Sequence, residues 1–326
     1  MTQATYRDAL NQALREEMRR DDRVFLIGED VANYQGAFKV SKGFLEEFGP
    51  RRVVDTPITE LGFTGLAIGA AMAGLRPVVE VMTFNFAILA LDQIVNNAAK
   101  IRYMSGGQLS IPLVIRGPGS AAHQLAAQHS QSLEAWFCHV PGLKVVAPAT
   151  PHDAKGLLKS AIRDENPVIF IEAQLLYPTQ GAVGDGDYTI PLGVAEVKRA
   201  GTDVTLIAYS KMLLVALEAA ERLAQDGIQA EVVDPRTLRP LDLATLAASV
   251  KKTGKAVIVE EGWPFAGLGA QIAESLYQRV FDNLDGPILR VTGRDVPMPY
   301  ARNLEDAAVP DADRVVEAVR TVLYRK

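Results

Sequence analysis

A single glutamate lies near the start of a long stretch of small and apolar residues. The stretch DTPITELGFTGLAIGAAMAGLRP spans residues 55–77, and Glu60 in it is followed by Leu61, Phe63 and Leu66. An acid in the first turn of a helix is stabilised by the helix dipole, which gives Glu60 a structural interpretation. A carboxyl group among apolar atoms instead has a raised proton affinity and can share a proton with a ligand. Both interpretations are open at this point.

The histidine with the clearest chemical context is His129, in the tract AAQHSQSLEAWFCHVPG at residues 126–142. A helix is predicted after it, because apolar residues recur at helical spacing at Leu133, Trp136, Phe137 and Val140. Ser130 is placed to cap this helix, so His129 is expected just outside its N-terminus. That position disfavours a positive charge and keeps a histidine neutral and able to exchange protons. The alternative is an ordinary loop histidine bonded to the backbone.

Other kinds of active site find little support in the sequence. Cys138 and His139 are neighbours on the predicted helix, so their side chains diverge and cannot form a nucleophile–base pair. A single cysteine and widely scattered histidines provide neither a zinc motif nor an intramolecular disulfide. No Walker motif is present, and the glycines of residues 265–274 are assigned to packing. A chemical role therefore rests on Glu60 and His129.

The elements that must position these two residues alternate between β-rich apolar runs and helical patterns, which is typical of parallel α/β architecture. The first helix is predicted behind a Thr5 cap. Strands of the first half are predicted at 23–28, 77–84, 111–117, 143–149 and 167–173. Several of these runs end in glycine, proline or charged residues, and ligands bind at the carboxyl edge of parallel sheets. The sequence thus predicts a binding edge in the first half.

The second half repeats the alternation after a connecting segment. Residues 178–200 are rich in glycine, proline and aspartate, which is typical of a connection between domains. Beyond it, strands are predicted at 203–210, 230–234 and 255–261, with helices ending near Gln225, beginning near Leu268 and covering 313–324. We therefore predict two α/β domains, at residues 1–190 and 191–326, each large enough for its own core.

The composition excludes several classes of protein. The chain has 326 residues, of which 22% are charged, and its net charge of −5 argues against a nucleic-acid binder, which needs a basic face. The start of the chain shows no signal-peptide pattern, and one cysteine fits a reducing compartment. The longest apolar run, residues 63–75, is shorter than the ~20 residues of a membrane span. We expect a cytoplasmic protein without nucleic-acid or membrane partners.

Long blocks of the sequence resemble the β chains of the thiamine-dependent 2-oxo acid dehydrogenases, and among these the pyruvate-specific chains most. The blocks cover nearly the whole chain and include LIGEDV (26–31), DTPITELGFTGLAIGAAMAGLRPVVEVMTFNF (55–86), DQIVNNAAKIRYMSGG (92–107), AAQHSQSLEAWF (126–137), DPRTLRPLD (234–242) and VIVEEGW (257–263). The resemblance implies two parallel-sheet domains of the transketolase-like type, a pyrimidine-binding domain followed by a transketolase C-terminal-like domain. It also implies an α₂β₂ heterotetramer with an α subunit.

The resemblance assigns roles to individual residues. It implies that Glu60 hydrogen-bonds the ring nitrogen of the aminopyrimidine of thiamine diphosphate, while Ile58 and Phe86 pack on that ring. Glu29, in GEDV, matches an acid close to the cofactor. His129 matches the active-site histidine of the family, which serves decarboxylation or the passage of the acyl group to lipoamide. With this resemblance, we favour the chemical interpretation of Glu60.

Two segments have a likeness to metal-binding motifs. The segment VGDGDY at 183–188 contains Gly-Asp-Gly, which opens the magnesium–diphosphate signature of thiamine diphosphate enzymes, but no asparagine follows between Asn166 and Asn283. We therefore predict a turn here and expect the α subunit to bind magnesium and the diphosphate. The segment KSAIRDENP at 159–167 resembles a structural potassium loop. Its implied ligands are Leu113, Ala161, Ile162, Asp164 and Asn166.

The function implied by the resemblance is the thiamine diphosphate-dependent oxidative decarboxylation of pyruvate, with transfer of the acetyl group to lipoamide. The alternatives are a β chain acting on branched-chain 2-oxo acids or acetoin. From another class, the chain is an assembly module that docks the α subunit and the dihydrolipoyl acetyltransferase core. His123 and Gln124 occupy a loop where related chains often carry small residues, which affects substrate access and not the class of reaction.

Overall fold

The computed structural model describes residues 2–324, which form two compact units. The first unit contains residues 2–119 and Trp136–Leu192, and the second contains Ser120–Ala135 and residues 193–324. The domain boundary predicted from the sequence lies after residue 190, and residues 120–135 were predicted in the first domain. In the structure this short segment clusters with the second unit, because side chains of that unit bind the backbone of Ala121.

The first unit is built on a parallel sheet. Its strands are β1 (Thr2–Thr5), β2 (Val24–Gly28), β3 (Val53–Asp55), β4 (Arg76–Glu80), β5 (Val114–Gly119), β6 (Lys144–Val146), β7 (Val168–Ala173) and β8 (Gln180–Val183). Within this unit the parallel strands follow the order β6-β7-β5-β4-β2-β3, and β1 pairs with β8 in an antiparallel ribbon. Strand β4 ends at Glu80 rather than at 84, because the chain turns there into a 3₁₀ helix at Phe84–Ala90.

Helices cover the sheet of the first unit. They are α1 (Tyr6–Arg20), α2 (Phe44–Phe48), α3 (Glu60–Met72), α4 (Ile101–Met104), α5 (Glu134–Cys138), which begins in the second unit, and α6 (Pro151–Arg163). The predicted Thr5 cap is confirmed, since the Thr5 hydroxyl accepts a hydrogen bond from the Asp8 backbone N–H at 3.1 Å. One face of α1 is fully buried and packs on α6, as its apolar spacing predicts.

The second unit contains its own parallel sheet. The strands of the second unit are β9 (Glu196–Arg199), β10 (Val204–Ala208), β11 (Ala230–Asp234), β12 (Thr237–Arg239), β13 (Ala256–Val259) and β14 (Leu289–Val291). The helices of this unit are α7 (Met212–Gln225), α8 (Leu243–Thr253), α9 (Leu268–Val280), α10 (Arg302–Ala308) and α11 (Ala312–Val322). The sheet order is β14-β13-β10-β11-β9, with β9 antiparallel to its neighbour. The buried strands β10 and β13 lie side by side, so their carboxyl ends share one edge.

The Gly-Asp-Gly segment forms the predicted turn. The chain bends at residues 185–187, shortly after β8, and Asp187 pairs with Lys159 and Arg163 of α6. Across residues 2–324 no group of three or more histidine, cysteine, aspartate or glutamate side chains is arranged to hold a metal ion. In the same range, no helix combines the length and apolarity needed to cross a bilayer.

Candidate active site

Glu60 is the first residue of α3, and its side chain is buried, with 5% of its surface exposed. The helix begins here because the backbone N–H groups of Gly62 and Phe63 bond to the carbonyl of Thr59. The sequence predicts Leu61, Phe63 and Leu66 as apolar surroundings of Glu60. Only Phe63 of these is buried, whereas Leu61 and Leu66 are exposed, since residues at these spacings point to different sides of a helix. Thus, part of the apolar surrounding predicted for Glu60 faces outward in this chain.

A second buried acid, Glu29, accompanies Glu60. It directly follows β2, and its Oε1 is buried without a hydrogen-bond partner among the described residues. Burial raises the pKa of the Glu29 carboxyl, and the nearby charges of Glu60 and Asp30 raise it further. Burying an oxygen without a hydrogen bond costs free energy. The two carboxyl groups are therefore suited to a ligand that brings a hydrogen-bond donor or a shared proton.

The segments that carry these two acids are tied together by Asp55, at the end of β3. Its carboxylate accepts hydrogen bonds from the backbone N–H of Ala32 at 2.6 Å and of Asn33 at 3.1 Å. The N–H of Thr56 also donates to the Gly28 carbonyl at 3.0 Å, just before Glu29. The loop after β2 and the chain leading into α3 therefore hold a fixed relation at the carboxyl edge of the sheet.

The two apolar residues predicted to hold the pyrimidine ring lie on elements next to this edge. Ile58 stands two residues before α3 and is 83% exposed, which is unusual for an aliphatic side chain. Phe86 is half-buried on the 3₁₀ helix Phe84–Ala90, which packs against α3. Both side chains therefore belong to the unit that contains Glu29 and Glu60.

His129 lies in a different local structure from the one predicted. It closes a 3₁₀ turn at Ala127–His129, and α5 begins only at Glu134. The predicted Ser130 cap is wrong, because the Ser130 side chain is buried and its Oγ has no hydrogen-bond partner among the described residues. The physical reason is that residues 131–133 are not helical and α5 begins only at Glu134, so Ser130 is not next to the first turn of the helix. His129 therefore does not lie at the N-terminus of this helix, and the predicted effect of a helix dipole does not apply to it.

The apolar stripe predicted for this helix is also incomplete. Leu133 and Phe137 are buried, but Trp136 is 52% exposed and Val140 lies beyond the end of α5. The helix is short because a turn at residues 139–142 leads directly into β6. His139 was predicted on the helix, but it is exposed and lies in that turn, directly after the last residue of α5.

A buried charged cluster in the second unit was missed by the sequence analysis. Glu134 and Lys211 are buried, the Glu261 side chain is 8% exposed, and Lys211 lies 2.8 Å from Glu261. Burial raises the pKa of Glu134 to about 7, the charges of Glu261 and Glu260 add to this, and Lys211 opposes it. The adjacent acids at the carboxyl end of β13 were the one available signal, because that edge of a parallel sheet collects functional side chains.

Glu134 makes the stability of the second unit depend on pH. Its pKa is raised from 4.5 to about 7, so its stabilising contribution is fully present below pH 4.5 and is lost as the pH rises through 7. In Glu134→Gln we expect this loss to disappear, so that the variant gains about 3 kcal/mol relative to the parent chain between pH 4.5 and 8. Urea denaturation at several pH values measures the difference. Glu274→Gln, an exposed control on α9, is expected to show a flat difference, and a flat difference for Glu134→Gln would contradict the assignment.

A second buried charged network was also missed, in the first unit. Arg116 of β5 donates to both oxygens of Glu172 of β7, with Nη2 at 2.6 Å from Oε2, and also pairs with Glu80 at the end of β4. The Tyr177 hydroxyl donates to Glu172 at 2.7 Å. Burial raises the pKa of Glu80, although Arg116 opposes the shift. The network therefore links the three neighbouring strands β4, β5 and β7 of the sheet in the first unit.

Of the residues predicted to bind potassium, Ala161 and Ile162 lie in the last turn of α6, Asp164 and Asn166 lie between α6 and β7, and Leu113 precedes β5. The carbonyls of Ile162 and Asp164 accept hydrogen bonds from the Arg76 guanidinium at 3.0 and 3.1 Å. The Asp164 carboxylate accepts from the Asn166 side chain at 2.8 Å. The remaining carbonyls, of Ala161 and Leu113, accept from the N–H groups of Asp164 and Val168. Arg76 thus already brings a positive charge to this loop.

Comparisons with known proteins agree with this architecture. The family model described as "Transketolase, pyrimidine binding domain" matches residues 2–180, and "Transketolase, C-terminal domain" matches residues 193–315. A solved structure titled "Split gene transketolase, inactive beta4 tetramer" superposes with a TM-score of 0.81 at 26% identity, covering 98% of each chain. The predicted transketolase-like α/β fold is therefore confirmed.

Curated proteins are similar over the full length. The pyruvate dehydrogenase E1 component subunit β, mitochondrial, of Caenorhabditis elegans is 56% identical over 98% of this chain and 92% of its own. Pyruvate dehydrogenase E1 component subunit β of Rickettsia felis is 56% identical over 99% of both chains. The protein of that name from Rhizobium meliloti is 55% identical over all of this chain and 71% of its own.

Proposed function

This chain belongs to the family of pyruvate dehydrogenase E1 component β subunits, and we propose that with an α subunit it carries out the oxidative decarboxylation of pyruvate and the transfer of the acetyl group to lipoamide. The observation that carries the proposal is the buried Glu60 near Glu29, whose Oε1 is buried without a hydrogen-bond partner within residues 2–324, in a chain similar to these subunits over nearly its full length. Thiamine diphosphate is the cofactor we infer for it.

The residues at the carboxyl edge of the first unit suit the pyrimidine half of this cofactor. Glu29 and Glu60 offer buried carboxyl oxygens to a polar ring, and Ile58 and Phe86 offer apolar surface to its faces. When bound, thiamine diphosphate supplies the electron sink for breaking the bond between the 2-oxo carbon and the carboxylate. We propose that Glu60 holds a proton at the ring nitrogen of the pyrimidine.

The role of His129 is proton transfer near the reacting group. An imidazole exchanges protons near neutral pH without help from a helix dipole, so the corrected local structure leaves this role intact. His129 serves the decarboxylation step or the passage of the acetyl group to lipoamide. Single-turnover assays of His129→Ala, with an artificial electron acceptor and separately with a lipoyl domain, distinguish the two steps.

We propose that the α subunit completes the cofactor site. The Gly-Asp-Gly segment is a turn whose neighbouring Asp187 is paired with Lys159 and Arg163, so magnesium and the diphosphate are assigned to the α subunit. Assembly as α₂β₂, attachment to a dihydrolipoyl acetyltransferase core and a cytoplasmic location belong to the same proposal. The chain on its own is then expected neither to bind the cofactor tightly nor to decarboxylate pyruvate.

Coexpression with an α-type chain tests the function. We expect turnover of pyruvate only with both chains present, and slower turnover of 2-oxoisovalerate and acetoin. Faster turnover of either alternative substrate would assign the chain to a branched-chain or acetoin enzyme. Appreciable activity of the isolated chain would contradict the shared site. Assembly that proceeds normally while Glu60→Gln leaves turnover unchanged would support a non-catalytic assembly module.

We also propose that potassium binds the loop between α6 and β7 as a structural ion. Carbonyl oxygens carry two lone pairs, so those bonded to Arg76 and to backbone N–H groups retain acceptor capacity. We expect potassium chloride to raise the melting temperature more than lithium or choline chloride at equal ionic strength, because a ligand of the native state stabilises it. Equal melting temperatures in all three salts would mean that potassium does not bind this loop.

A further inference from the structure

The segment that leads to His129 has an unusual backbone. Ser120, His123, Gln124 and Ala126 all have positive φ angles, of 69°, 52°, 59° and 63°. Residues with a side chain rarely adopt this conformation, and it persists only where the surrounding structure imposes it. Something outside the segment must hold it in place.

Lys211 and Glu261 hold the start of the segment at Ala121. The Lys211 Nζ donates to the Ala121 carbonyl at 2.7 Å, and the Ala121 N–H donates to Glu261 Oε1 at 2.6 Å. The two side chains lie 2.8 Å from each other and each is 8% exposed, so the arrangement is a closed, buried clamp. Both backbone polar groups of one residue are therefore satisfied by charged side chains, which make stronger hydrogen bonds than neutral ones.

The clamp residues are themselves fixed by the sheet of the second unit. Lys211 stands between the end of β10 and the start of α7, after Ser210, which also has a positive φ of 52°. Glu261 follows β13 by two residues, and β10 and β13 are neighbouring parallel strands. The clamp thus connects the segment 120–135 to the carboxyl edge of this sheet.

The segment is closed on its other side by its own backbone. The Ser120 N–H donates to the Gln131 carbonyl at 3.0 Å, so the residues between them form a loop that contains His129. The Gln124 N–H reaches Glu305 of α10 at 3.3 Å, a longer and weaker contact. Of these anchors, the clamp at Ala121 combines buried charge with short hydrogen bonds, and it is therefore the anchor that we expect to determine where His129 lies.

We propose that Lys211 and Glu261 are positioning residues that hold the 120–135 segment in the strained conformation that His129 requires for proton transfer. This inference rests on the proposed function, because it assumes that His129 acts on the substrate or on the acetyl group. Neither clamp residue is proposed to touch the reacting atoms. Their effect on the rate must therefore pass through His129, which separates this role from a purely structural one.

The experiment uses the reconstituted α–β enzyme and compares Lys211→Met with a matched control. Arg236 is also a buried cation of the second unit that joins a carboxylate, Glu196, to a backbone carbonyl, that of Val194, and both of these partners lie outside the segment 120–135. We expect Lys211→Met to lower kcat about tenfold with KM changed less than about twofold, because misplacing a reacting group lowers the rate and not the binding. Arg236→Met is expected to lower thermal stability and to change kcat less than about twofold.

A double-mutant comparison with His129→Ala decides between positioning and general damage. If Lys211 acts through His129, Lys211→Met in the His129→Ala background should lower kcat by less than about twofold. Equal losses in both backgrounds, a loss matched by Arg236→Met, or full activity of His129→Ala would each overturn the proposal. Lys211→Arg keeps a donor and the charge and is expected to recover most of the activity.

Two further controls keep the outcomes distinct. Should Lys211→Met fail to assemble, Glu261→Gln retains an acceptor oxygen for the Ala121 N–H while removing the charge, and it is expected to lower kcat at least about threefold through the same dependence on His129. An inactive parent enzyme would refute the proposed function. An active parent enzyme with unaffected clamp variants would refute only the positioning role.

Discussion

Replacing Glu60 by glutamine is expected to lower pyruvate decarboxylation by the assembled α–β enzyme about 10²- to 10⁴-fold, the usual contribution of a positioned acid or base. Glutamine keeps the size and the hydrogen-bonding capacity of the side chain but cannot hold a proton for the pyrimidine nitrogen. Glu60 is buried at the start of α3, so bulk water does not replace it readily. Steady-state decarboxylation with an artificial electron acceptor measures the loss.

The control for this prediction tests the structural interpretation of Glu60. Asp153 is likewise a buried acid in the first turn of a 13-residue helix of the first unit, α6. In both Asp153→Asn and Glu60→Gln, the lost interaction with the helix dipole is expected to cost about 0.3–1 kcal/mol of stability. Only Glu60→Gln should lose activity. Similar activity of the two variants would restrict Glu60 to a structural role.

Replacing Arg116 by methionine is expected to destabilise the first unit by about 3–5 kcal/mol, because the change leaves two carboxylates buried without their cation. Arg116 is 1% exposed and connects Glu80 with Glu172 across neighbouring strands. Urea denaturation of the chain at neutral pH measures the change. We expect acidification to recover part of it, since burial raises the pKa of an unpaired carboxyl and its protonated form is tolerated.

Two companion variants separate the charge from the packing. Arg23→Met breaks an ion pair with Asp21 in which the arginine is largely exposed, and it is expected to cost less than about 1 kcal/mol. Combining Arg116→Met with Glu80→Gln and Glu172→Gln removes the stranded charges and should restore much of the lost stability. If the triple variant is no more stable than Arg116→Met, the loss arises from packing and not from unpaired charge.

The sequence alone determined the elements whose causes are local. The spacing of apolar residues predicted β11 at residues 230–234, the end of α7 at Gln225 and the start of α9 at Leu268, and the structure has all three. The Thr5 cap was predictable for the same reason, since the Thr5 hydroxyl accepts a hydrogen bond from the N–H of Asp8, only three residues later. Long blocks that resemble known β chains identified the family, and with it Glu60 and His129 as the residues to test.

Only the tertiary structure decided what surrounds those residues. The Ser130 cap was wrong because α5 begins only at Glu134, and the segment 120–135 joins the second unit through Lys211 and Glu261. Lys211 and Glu261 lie 90 and 140 residues from Ala121 along the chain, so no periodic pattern of the sequence indicates these contacts. Hydrophobic spacing reports which face of an element is buried, whereas a buried charge depends on the side chain that the fold brings opposite it. For that reason the sequence predicted the elements and the chemistry, and the fold decided which charges are paired.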